Sequence, residues 1–170
     1  MILVTGGTGL VGSHLLQHLV KQKQDIRAIK RLTSDLTAVK NIADKIEWID
    51  VDLLDVHGLF NAFAGVDTVY HCAAFISFDP ADALIMKEIN IKGTANVVNM
   101  ALEHEIKKMV YVSSIAALGR NKRSFELDEN AKWEEHELNS DYALSKHLAE
   151  REVWRGAAEG LNVAIINPSV

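Results

Sequence analysis

The sequence predicts an α/β fold, a doubly wound parallel sheet lying between two helical layers. Two observations predict it. Six short apolar runs alternate with longer stretches patterned for helix, and a glycine-rich turn joins the first run directly to the first helix. Parallel strands need crossover connections, and right-handed crossovers favour the strand order 3-2-1-4-5-6 in a three-layer α/β/α sandwich.

The elements are read in order. Ile2 to Thr5 is a strand, and Leu10 to Lys21 a helix with Leu15, Leu16, Leu19 and Val20 on one side. Ile26 to Lys30 is the second strand. Leu36 to Ala43 reads as a weak helix, Ile46 to Val51 as the third strand, and Val56 to Ala64 as a short helix. Thr68 to His71 is the fourth strand, bounded by Gly65 and Asp67. Asp79-Pro80 forms an N-cap followed by Pro in the first turn, opening a helix that runs to about His104. Met109 to Val112 is the fifth strand. Residues 119–140 are polar and irregular, too long for a mere connection. Asp141 to Glu159 is a strong helix ended by Gly160. Val163 to Ile166 is the sixth strand, closed by Asn167-Pro168.

With 170 residues, 48% of them apolar, the chain has room for one domain, residues 1–170, with a packed core. A net charge of −5 with mixed signs argues against nucleic acid or a membrane surface as partner. The lone Cys72 allows no internal disulfide, and no apolar run reaches bilayer-spanning length. The apolar start meets Thr5-Gly6-Gly7 at once and reads as a buried strand, not a leader. A cytoplasmic location is the expectation.

The turn Thr5-Gly6-Gly7-Thr8-Gly9-Leu10-Val11-Gly12 fits G-x-G-x-x-G through Gly7, Gly9 and Gly12, and T-G-x-x-G-x-x-G through Gly6, Gly9 and Gly12. Such a turn needs positive φ, bare backbone beside a pyrophosphate, and close helix–strand packing. The helix N-terminus offers N–H groups and partial positive charge to phosphate. Placed after the first strand, the pattern predicts dinucleotide binding in a Rossmann fold. NAD-binding folds carry an acidic residue at the end of strand 2. Here Lys30-Arg31 stands there, and a cation pairs with a 2′-phosphate that a carboxylate would repel. NADP(H) is therefore favoured, with NAD(H) the alternative if Arg31 is only a solvated charge or if Asp35 reaches a ribose. Asp52, with Leu53 beside it, accepts from an adenine amino group or merely caps the next turn.

Tyr142 and Lys146 stand four apart on one helix face. A free phenol titrates near pH 10. A neighbouring ammonium and an oxidised nicotinamide would favour phenolate, making Tyr142 a general acid/base. Ser113 and Ser114 end strand 5, where ligands bind in such sheets. A serine there can hold a substrate oxygen as it gains charge, or form a turn.

Taken together, T-G-G-T-G-L-V-G, D-L, H-C-A-A, N-I-K-G-T-A-N, Y-V-S-S, Y-A-L-S-K and N-P-S resemble the extended short-chain dehydrogenase/reductases, over essentially the whole chain. The likeness is greatest to the dihydroflavonol-4-reductase-like group. The resemblance implies that Gly6, Gly9 and Gly12, with Leu10 and Val11, meet the pyrophosphate, and that Arg31 beside Lys30 meets the 2′-phosphate. It implies that Asp52 and Leu53 border adenine, and that Ala73 and Ala74, with Ser113, lie along the cofactor. Ser114, Tyr142 and Lys146 become the catalytic set, Asn90 its support, and Pro168-Ser169 the start of a segment on the nicotinamide amide. Family members continue well past N-P-S with a substrate domain. The resemblance thus implies a chain missing its C-terminal substrate part, with exposed apolar surface and, following from it, a homodimer or a tendency to aggregate.

Phe75 to Phe78 and residues 119–140 should line what substrate pocket remains. Glu126, Asp128 and Glu129 read as solvated charges, and Trp133 and Trp154 as packing residues. His71 and Cys72 lack the spacing of a zinc site. The leading expectation is an NADP(H)-dependent oxidoreductase acting on a carbonyl or secondary alcohol. A nucleotide-sugar epimerase or dehydratase retaining NAD uses the same three residues. A dinucleotide-sensing module without turnover is the reading from another class.

Overall fold

The computed structural model describes residues 1–119, 128–131 and 133–169. Its centre is a six-stranded, all-parallel sheet: β1 (Ile2–Thr5), β2 (Ile26–Lys30), β3 (Glu47–Asp50), β4 (Thr68–His71), β5 (Lys108–Val112) and β6 (Val163–Ile166). The spatial order is β3-β2-β1-β4-β5-β6, as the crossovers predict. Alternation along β1 divides the core. Leu3 packs with Val69, Met109, Phe63 and Val98 on one face, and Val4 with Leu16, Ala28 and Ile46 on the other.

Helix α1 (Leu10–Lys21) covers the second of these faces. Helices α2 (Val56–Ala62), α4 (Gly93–Glu103) and α5 (Asp141–Ala158) cover the first. The caps explain their limits. The Asp55 carboxylate accepts from Gly58 N at 3.0 Å, and the Ser140 hydroxyl accepts from Ala143 N at 3.1 Å. Gly160, at φ +105°, ends α5 as its position suggests.

Two expectations need correction. Leu36 to Ala43 is not an α-helix but two 3₁₀ turns, Thr37–Val39 and Ala43–Lys45. The helix predicted from Pro80 to His104 is a succession: a 3₁₀ turn Pro80–Asp82, α3 (Ala83–Lys87), a π turn Glu88–Lys92, then α4. Asp79 caps it as expected, accepting from Ala81 N at 2.9 Å. A π turn adds a residue to the helical winding and often marks a functional site; here it carries Asn90.

Candidate functional site

The glycine turn is sterically compelled. Gly6 sits at φ +67°, and a Cβ there would lie 2.6 Å from the Ala73 backbone. A Cβ on Gly12 would lie 2.2 Å from the Gly6 carbonyl oxygen. Gly9 N–H donates to that same oxygen at 3.0 Å, closing the turn. The N-terminus of α1 thus stands against the exit of β4, with Leu10 and Val11 exposed. Its first N–H groups have no acceptor within the helix.

Beside the turn lies a cleft of about 280 Å³. Gly6, Gly9, Lys30, Arg31, Asp52, Leu53, Ala73 and Ala74 line it, together with Thr8, Ser34, Cys72 and Phe75. The eight residues among these that the sequence assigned to the cofactor therefore share one cavity, at the carboxyl ends of β1 to β4. Lys30 and Arg31 differ within it. The Lys30 ammonium is paired with the Asp50 carboxylate across β2–β3. Arg31 forms no ion pair among the described residues and shares the rim with Ser34, whose hydroxyl accepts from Arg31 N at 3.1 Å. Asp35 is held by the Thr37 N–H and hydroxyl at 2.8 and 2.6 Å, which keep its carboxyl below the usual range. Asp52 does two things: it lines the cleft and accepts from Leu54 N at 2.9 Å.

Ser113, Ser114, Tyr142, Lys146 and Pro168 do not line this cleft. They form a second group where β5, β6 and the start of α5 meet. Ser114 caps the 3₁₀ turn Ile115–Leu118, its hydroxyl accepting from Ala116 N at 3.1 Å, and that turn packs on α5. The Ser113 hydroxyl donates to Glu150 at 2.6 Å, and Asn167 donates to the same carboxylate oxygen at 3.0 Å. Pro168 accepts from Ile115 N at 3.2 Å. Tyr142 is half-buried, with Phe78 edge-on at 6.1 Å. Lys146 is 1% exposed, and its ammonium donates to the Tyr111 hydroxyl at 2.7 Å and to Val112 O at 3.0 Å. Burial brings Lys146 down to about 8, against the opposing pull of Glu150. Its charge also acts on the Cys72 thiol, which burial pushes up to about 11. Cys72 itself lines the cleft, whereas Lys146 does not.

Asn90 ties the β4 exit to α5. Its amide oxygen accepts from Phe75 N at 2.7 Å, and its nitrogen donates to Phe75 O at 2.9 Å and Ser145 Oγ at 3.0 Å. With both amide protons engaged, Asn90 positions backbone and helix.

Residues 2–170 match the NAD dependent epimerase/dehydratase family. The chain belongs to that enzyme family. A putative dihydroflavonol 4-reductase of Synechocystis is 34% identical over 98% of this chain and 48% of its own length. A putative UDP-glucose 4-epimerase of Methanocaldococcus jannaschii is 33% identical over 88% of this chain and 48% of its own. A crystal structure of a short-chain dehydrogenase/reductase superfamily protein from Agrobacterium tumefaciens, with bound NAD, superposes with a TM-score of 0.83 at 28% identity, over 98% of this chain and 48% of that one. The chain spans about half the length of the curated relatives it matches.

Within this member of the family, sequence reasoning missed several groups. Asp50 as the partner of Lys30, and the buried row Thr5, His71 and Tyr111, follow only from cross-strand register, and the buried Thr94 is brought to them by α4. Phe75 lines the cleft, while Phe78 lies beside Tyr142. Trp133 packs as expected, stacked on His147 at 4.2 Å. Trp154 does not: its indole is 56% exposed. Asp128 and Glu129 are exposed; Glu126 lies outside the described residues. Among the described residues no cluster could hold a metal ion, and no helix is long and apolar enough to cross a membrane.

Proposed function

We propose that this chain is the dinucleotide-binding part of an NADP(H)-dependent oxidoreductase of the dihydroflavonol-4-reductase-like kind. Its reaction transfers hydride between nicotinamide and a carbonyl or secondary alcohol. The observation that carries the cofactor choice is the division of labour at the end of β2. Lys30 is neutralised by Asp50, whereas Arg31 stands on the rim without an ion pair among the described residues. A guanidinium there suits a 2′-phosphate, and Asp35, whose Oδ1 accepts from Thr37, is not among the residues that line the cleft.

The glycine turn fits a diphosphate, since the space at Gly6 and Gly12 admits no side chain. When bound, the nicotinamide supplies or accepts the hydride. In this reading Ser114 donates to the substrate oxygen and Tyr142 gives or takes the proton there. Lys146 keeps one N–H beyond the two engaged on Tyr111 and Val112 for the ribose or the phenol. Asn90 holds the Phe75 backbone and Ser145, and so the spacing of cleft and helix.

Fluorescence titration with NADPH and with NADH tests the assignment. Arg31→Ala should weaken NADPH binding by roughly tenfold or more, the loss of a charge-assisted pair, and leave NADH within about twofold. Equal losses for both would refute the role of Arg31. Tyr142→Phe in the full-length protein should abolish most turnover. A second reading is a nucleotide-sugar epimerase or dehydratase retaining NAD. It is favoured by the similarity to the putative UDP-glucose 4-epimerase, and NAD co-purifying with the protein would support it.

A further inference from the structure

We propose that Tyr111 is a positioning residue for Lys146, the acceptor that fixes the ammonium at the carboxyl end of β5. The inference rests on the reading of Lys146 as a functional lysine and adds a residue to its machinery.

Register builds the arrangement. Thr5, His71 and Tyr111 stand side by side on β1, β4 and β5, as direct partners across the sheet. All three are buried. Residues two apart share a face, so these follow Leu3, Val69 and Met109 onto the face covered by α4 and α5. That face is apolar everywhere else along these strands. At its last position it becomes polar, and two helices bring polar partners: Thr94 from α4 and Lys146 from α5.

Hydrogen bonds fix the orientation of each group. Thr5 Oγ1 accepts from Ala73 N at 3.2 Å and shares a hydrogen bond with His71 Nδ1 at 2.6 Å. On the other side of the ring, His71 Nε2 shares a hydrogen bond with Thr94 Oγ1 at 3.0 Å. The His71 ring packs against that of Tyr111, with centroids 5.3 Å apart, and Thr94 also adjoins the phenol. The Tyr111 hydroxyl is thereby held where the Lys146 ammonium reaches it at 2.7 Å. An ammonium has three donors and no acceptor. Tyr111 and Val112 O take two and fix the third.

A residue that merely filled the core would need no hydroxyl. Removing it withdraws an acceptor from a buried cation and should destabilise the charged form. The groups facing Lys146 make the effect readable. His71 is held neutral at about 3, by burial first and then by the Lys146 charge. The Cys72 thiol titrates at about 11. Glu150 supplies the opposing negative charge to Lys146, and both Glu150 and Tyr142 act on the Tyr111 phenol.

The test is the titration of the Lys146 ¹³Cε resonance by NMR, assigned by its disappearance in Lys146→Met. In Tyr111→Phe, which keeps the ring, the midpoint should fall by roughly one unit from about 8, the size expected for a hydrogen bond to a charged group. Thr94→Val should move it the same way by less. An unchanged midpoint in a folded Tyr111→Phe protein would overturn the proposal. No cofactor is needed, so a failure of dinucleotide binding is read separately.

Discussion

Lowering the pH from 7 to 5 should cost this protein about 2 kcal/mol of stability through one side chain, His71. The imidazole is 0% exposed and is held between the Thr5 and Thr94 hydroxyls. Burial, helped by the Lys146 charge, depresses its pKa from 6.5 to about 3. As pH falls below 6.5 the unfolded chain binds a proton that the native state refuses, so stability falls with pH, until about pH 3. At about 1.4 kcal/mol per unit, the pH units lost between 6.5 and 5 give that ~2 kcal/mol. Few other groups confuse this window. Asp67, held at about 2 by Lys107 and the N-terminus, loses its contribution only below the ordinary carboxylate range. His147 is also depressed by partial burial and acts in the same direction. Urea unfolding at pH 7 and pH 5 should therefore be compared between the native sequence and His71→Gln. The variant is less stable at pH 7, but its further loss on acidification should be smaller by about 2 kcal/mol. Equal losses in both proteins would show that His71 is not the buried neutral group described.

Four other substitutions separate site from scaffold. Gly12→Ala places a Cβ 2.2 Å from the Gly6 oxygen, backbone against backbone; calorimetric titration should find dinucleotide affinity reduced by about tenfold or more as the turn opens. Asn90→Ala strips partners from both Phe75 backbone groups and should cost about 2–4 kcal/mol in urea unfolding. Trp154→Ser, at an exposed position, should change stability by less than about 0.5 kcal/mol, whereas Phe63→Ala, in the core, should cost about 3–5 kcal/mol.

The order of the sheet was legible because each strand is a short apolar run and the connections between them are helical. Where the pattern misled, the period was the reason. Leu36, Val39 and Ile42 recur every third residue, and the observed bonds follow that spacing: Val39 N to Leu36 O and Ile42 N to Val39 O, both 2.9 Å. A strict period of three belongs to 3₁₀ winding, in which i and i+3 eclipse, and not to an α-helix. The π turn at Glu88–Lys92 left no such trace. Its inserted residue changes no composition, and only its tertiary consequence, the inward Asn90 amide, reveals it.

The site was legible in residue type and only partly in partnership. Lys30 and Arg31 look equivalent as neighbours in sequence, yet alternation sends successive side chains apart. Parallel register sets Lys30 directly beside Asp50. Tyr142 and Lys146 illustrate the complementary limit. Four-residue spacing puts two Cβ atoms on one helix face, but a lysine carries its charge on a long flexible stem. Buried, that charge must go where acceptors exist, and the nearest pair is supplied by β5, not by α5: the Tyr111 hydroxyl and the Val112 carbonyl. Helical spacing therefore sets Lys146 on the same face as Tyr142, while the strand it packs against decides where its ammonium sits.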